Sequence, residues 1–164
     1  MLDYIESLLV RYRTKGILID TNLLLLYFVG SYDPQRIEKY KRTKNRKYSL
    51  EDFQRLKRLI NHFEMIVTTP NILTEVSNLT SQLPDAYFQV FCERLTGFEE
   101  TYISSRDVCK LPHFSHFRLT DSGIIDLAPT KHLVLTDDLE LYGYLVGNGV
   151  DAVNFNHIRT LNWR

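Results

Sequence analysis

Four short apolar runs read as buried strands: residues 16–20 (GILID), 65–68 (MIVT), 132–136 (HLVLT) and 151–155 (DAVNF). The first three are rich in Ile, Val and Leu and lack alternation, the pattern of parallel strands covered on both faces. Elsewhere the apolar positions follow a helical spacing, which predicts helices over 23–29, 49–62, 70–79, 85–95, 120–128 and 138–146. Local signals agree with these starts and stops. SLED at 49–52 resembles a capping box with Asp in place of Glu. Pro70 suits a first helical position, and Gly147 and Gly149 end the last helix. The stretch 99–118 follows neither rhythm. Strands alternating with helices predict one α/β domain over 1–164, a three-layer α/β/α sandwich around a central parallel sheet of four or five strands.

Composition narrows the class without naming it. Apolar residues make up 44% and charged residues 24%, as in ordinary globular domains. The 20 basic and 20 acidic residues cancel, so attraction to a charged partner has to be local. The two cysteines, Cys92 and Cys109, form no zinc motif and no disulfide framework. Asp3, Glu6, Arg11 and Arg13 interrupt the start of the chain, unlike a signal-peptide core. The longest apolar stretch, 17–29, contains Asp20 and Asn22 and is too short to span a bilayer. A cytoplasmic protein without a membrane segment is the expectation.

Four acids stand where apolar residues would be ordinary. Asp20 ends the first strand inside ILIDTNLLLLYF, where a carboxylate is expensive unless compensated. Capping of the following helix is the simplest compensation. At about 100° per residue, Glu75 falls at the edge of the stripe formed by Ile72, Leu73, Val76 and Leu79. Asp121 projects into the face of Ile124, Ile125 and Ala128, whereas Asp126 points to solvent. Asp138 falls near the centre of the face formed by Leu139, Leu141, Tyr142, Leu145 and Val146. Asp137 lies beyond its edge, as a capping or supporting group. In a parallel α/β sheet, ligands bind beyond the carboxyl ends of the strands, so these acids can converge. Two carboxylates at 4 Å repel by about 4 kcal/mol at an effective dielectric of 20. A hard cation removes that repulsion, and an all-oxygen set suits Mg²⁺ or Mn²⁺. Activation of water against a phosphodiester is the natural chemistry of such a site.

IDTN at the first strand, TPNILTEVSNL, LTDSGIIDLA and LVLTDDLELYGYLVGNGVDAVNF together resemble the PIN domain family. The resemblance runs from Gly16 to Phe155. It implies a parallel α/β/α sandwich and metal-dependent cleavage of RNA with one or two Mg²⁺ or Mn²⁺ ions. The acids it implies are Asp20, Glu75, Asp121 and Asp138, with Asp137 a permitted substitute for Asp138. Thr21, Asn22 and Thr136 stand beside them as supporting groups. Many members are toxins neutralised by an antitoxin protein, and many dimerise, so both kinds of partner are expectations. A PIN-like module that binds RNA or protein without cutting is the alternative.

Two stretches depart from the family pattern. Residues 31–49 form a longer, basic insertion in which Arg36, Lys39, Lys41, Arg42, Lys44, Arg46 and Lys47 are interleaved with Tyr32, Tyr40 and Tyr48. Such a stretch can track an RNA backbone and stack bases. The 99–118 connection carries His113 and His116, outside the acidic set and with no third ligand in view, which read as surface or supporting residues. Other chemistries that start from a strand-end Asp fit less well. A phosphatase of the haloacid dehalogenase type needs a second Asp where Asn22 stands. A receiver domain needs an acceptor Asp on a middle strand, and MIVTTP has none.

Overall fold

A computed structural model describes residues 2–129 and 131–160, so the ends of the expected 1–164 domain lie outside the described residues. Five parallel strands form one sheet: β1 (Ile17–Ile19), β2 (Ile66–Thr68), β3 (Phe98–Glu100), β4 (Leu133–Thr136) and β5 (Ala152–Asn154). Their order across the sheet is β3-β2-β1-β4-β5. Ile17 pairs with Ile66 on one side and with Leu133 on the other. The side chains of β1 and of Leu133, Val134 and Leu135 are fully buried, as the unbroken apolar runs demand.

The helices are α1 (Leu2–Tyr12), α2 (Thr21–Tyr32), α3 (Lys41–Asn45), α4 (Leu50–Ile60), α5 (Pro70–Leu79), α6 (Asp85–Leu95), α7 (Ser105–Val108), α8 (Phe114–Leu127), α9 (Leu139–Gly147) and α10 (Phe155–Thr160). The chain steps from β1 to β2 to β3 in one direction and from β4 to β5 in the other. Right-handed crossovers then place the connecting helices on opposite faces, giving the three-layer α/β/α sandwich. On one face α2 packs against α4, α5 and α6, and α9 covers β4 and β5. Gly30 permits the contact of α2 with α4, because a Cβ there would stand 2.4 Å from the Phe53 ring. No described helix is long and apolar enough to cross a membrane.

Three segments differ from the pattern read along the chain. The basic stretch expected as an insertion is built in: a 3-10 turn (Pro34–Arg36) leads to α3, and Ile37, Thr43 and Tyr48 are buried. The Thr43 hydroxyl donates to the Ile37 carbonyl at 2.6 Å. The irregular stretch 99–118 contains the end of an edge strand, the short helix α7 and the first turns of α8. Arg118, at φ 61° and ψ −163°, breaks α8 just before the start predicted at residue 120. At the amino end, α1 buries Ile5, Leu8, Leu9 and Tyr12. Its Tyr12 hydroxyl donates to Asp151 at 2.8 Å, tying it to the entry of β5.

Candidate functional site

The order of strands reverses between β1 and β4, and both strands lead straight into carboxylates. Asp20 follows β1 with extended backbone and caps α2, its Oδ1 accepting the Leu23 N–H at 3.0 Å. Its Oδ2 accepts the Thr136 hydroxyl and the Asp137 N–H, the latter at 3.1 Å. The expected capping role is real, but it uses only one of the two oxygens. Asp20 is 4% exposed. Burial, then the neighbouring Asp137 carboxylate, raises its pKa to about 7 despite these hydrogen bonds.

The next two acids approach from opposite elements. Glu75, on the exposed edge of α5, accepts the Thr21 hydroxyl at 3.0 Å and also the Thr120 hydroxyl. Asp121 is half-buried in α8 one residue after Thr120. Burial, and then the carboxylates of Asp138 and Glu75, raise its pKa to about 6. Asp126 is exposed, as its helical phase predicts.

The pair after β4 departs from the helical phase read along the sequence. Asp138, expected on the inward face of its helix, is exposed and is itself the cap of α9. Its Oδ1 accepts the N–H groups of Glu140 at 2.7 Å and Leu141 at 3.0 Å. Asp137, expected as the capping group, turns toward Asn22, which donates at 3.2 Å, and Tyr48, which donates at 2.5 Å. The cause is local: residue 138 is extended, at φ −80° and ψ 117°, so helical phase does not yet apply to it. Burial and the two nearby carboxylates push the Tyr48 hydroxyl far up, so it stays a donor.

Asp20, Thr21, Asn22, Glu75, Asp121, Asp138, Leu141 and Arg46 line one cavity of about 200 Å³. Of the basic residues named along 31–49, Arg46 is the one that reaches this cavity. It stands two residues before Tyr48, whose bond to Asp137 pins this end of the basic stretch. Thr120 is a residue missed, although a hydroxyl beside the Asp of LTD is the same signal as Thr136 near TDD. The other basic candidates are not brought together here. Arg36, Lys39 and Lys41 line a separate cleft of about 460 Å³ with Asp33, Gln35, Tyr40 and Gln82. That cleft lies at the far end of α2, roughly 18 Å away at 1.5 Å per residue. Arg42, Lys44 and Lys47 are exposed on the segment between. His113 Nε2 donates to the Ser122 carbonyl at 3.4 Å, and His116 Nε2 donates to Glu140 at 2.7 Å.

Among the described residues, no three acidic, histidine or cysteine side chains stand close enough to hold a metal ion as placed. The donor chemistry nevertheless fits a hard cation. Apart from Leu141 and Arg46, every residue at the cavity carries a side-chain oxygen, and two of the carboxyl groups have their pKa raised by burial and by neighbouring carboxylates. Mg²⁺ keeps several waters and takes only one or two carboxylates directly, which suits acids spread around a cavity. No family model, no curated protein and no solved structure matches this chain.

Proposed function

We propose that this chain is a divalent-metal-dependent endoribonuclease acting at the cavity between the ends of β1 and β4. The observation that carries the reading is one cavity lined by Asp20, Glu75, Asp121 and Asp138 with Arg46 among them. Asp20, Asp121 and Asp138 would hold Mg²⁺ or Mn²⁺, with Glu75 joining directly or through water. Such an ion, when bound, lowers the pKa of water and offsets charge developing on a phosphodiester. Thr136 and Asp137 fix the Asp20 carboxylate, and Thr21 and Thr120 fix Glu75. Arg46, always charged, draws a phosphate into a cavity that would otherwise repel it. Its planar donors suit two phosphate oxygens at once.

A second reading has two observations in its favour: Asp138 spends an oxygen on its helix, and no ready ligand trio exists among the described residues. On that reading the chain binds RNA or protein without cutting. Titration with Mn²⁺ and a labelled RNA separates the two. At 100-fold over its dissociation constant the ion should add about 2.7 kcal/mol, or roughly 5–10 °C of melting temperature, and RNA should be cut. Asp20→Asn, Asp121→Asn and Asp138→Asn should each abolish cutting, Glu75→Gln should reduce it, and Asp126→Asn should leave it unchanged. RNA that binds but stays intact with Mn²⁺ would establish the binding module instead.

A further inference from the structure

We propose that the cleft beside the acidic cavity is a stacking site for one unpaired nucleobase; this rests on reading that cavity as the place where RNA is held. The cleft has a volume of about 480 Å³ and is lined by Pro112, His113, His116, Phe117, Glu140 and Tyr144. That volume lies in the range of small-ligand sites. Its walls are rings: Phe117 packs edge-on against Tyr144 at 4.9 Å and against His116 at 4.7 Å, and His113 lies 5.7 Å from Tyr144. Aromatic walls with an open side are how proteins hold splayed single-stranded bases.

The cleft and the acidic cavity are built on the same two helices. On α8, Phe117 faces the cleft and Asp121 the cavity; on α9, Glu140 and Tyr144 face the cleft and Leu141 the cavity. The Asp138 carboxylate that lines the cavity accepts the N–H of Glu140 itself. Arg118 separates the two functions on α8, since its left-handed backbone resets the helical phase between Phe117 and Asp121. A non-glycine residue in that conformation is uncommon. It lets the 113–117 rings turn to Tyr144 while Asp121 faces the acids. Glu140 supplies the polar edge. One of its oxygens accepts from His116, and the side chain is 69% exposed, leaving the other oxygen to accept an N–H from the edge of a base.

The test uses the whole chain and a short single-stranded RNA carrying 2-aminopurine at each position in turn, bound in EDTA. Stacking on aromatic rings quenches that fluorophore. One position should be quenched on binding, and Tyr144→Leu and His116→Ala should each remove the quench and weaken binding about tenfold, a typical loss for one stacked base. Tyr144→Phe, which keeps the ring, should behave as the parent. His116 is exposed, so its variant keeps the test decisive if Tyr144→Leu folds poorly. RNA that binds with no quenched position, or a quench that survives both variants, overturns the base site and leaves the nuclease reading standing. No RNA binding at all overturns both.

Discussion

Asp20 sits at 4% exposure with two hydrogen-bonded oxygens and a second carboxylate beside it, and its pKa is raised from 3.8 to about 7. Because the folded state holds the proton more tightly than the unfolded one, its contribution to stability is complete below about pH 4. It is lost as pH rises through 7. At about 1.4 kcal/mol per unit, the loss is roughly 4 kcal/mol as an order of magnitude. The metal-free protein should therefore resist urea better at pH 5 than at pH 8, and Asp20→Asn should remove much of that difference. The amide has a cost of its own. Oδ2 accepts from the Asp137 N–H, and an Asn nitrogen placed there would face that donor unpaired. Equal pH slopes in parent and variant would show that Asp20 ionises normally.

At the scale of elements, the basic segment acts as an arm held at both ends. Tyr40 donates to the Leu79 carbonyl at 2.5 Å at the far end of α5, and Tyr48 donates to Asp137 beside the acids. Arg159 of α10 adds bonds to the Lys47 carbonyl and to Asp52, each at 3.0 Å. Tyr48→Phe keeps the ring and removes one bond to a carboxylate, a loss of about 1.5–3 kcal/mol. We expect it to loosen Arg46, so that Arg46→Ala weakens RNA binding less in the Tyr48→Phe background than in the parent. Additive effects in this double-mutant cycle would mean that Arg46 is placed without the tether.

These elements also show how far the chain could be read in advance. β1, β2 and β4 were legible because strands buried on both faces leave no room for charged residues, and the acids after β1 and β4 stood out against that background. β3 was not, because FEE at a sheet edge carries two exposed glutamates and no apolar run. Asp138 lines the cavity as expected, but it does so from the cap of α9 and so takes the capping role given to Asp137, because the residue before a helix is not in its phase. Nothing in the local sequence links Tyr48 to Asp137, 89 residues later. That pairing belongs to tertiary structure alone, and so does the place of Arg46 beside the acids, since the sequence marked it only as one of a basic run.

Across the whole molecule, the cavity lies where the strand order reverses, and no single element owns it. Asp20 comes from β1, Glu75 from α5, Asp121 from α8, Asp138 from the cap of α9, and Arg46 from the segment after α3. This arrangement has a consequence in the order of synthesis. Ile17 lies between Ile66 and Leu133, so the inner edge of β1 stays bare until the last third of the chain emerges. Pairing of such distant segments is slow, and an uncovered apolar edge invites another chain. A chain ending at residue 128 should sediment as an aggregate, whereas a folded monomer of that length would contradict this order of assembly. A nascent chain thus gains its acidic cavity only after residues 133–138 have left the ribosome. On the proposed nuclease reading, RNA is safe from the growing polypeptide until that point, even with Asp20, Glu75 and Asp121 already made.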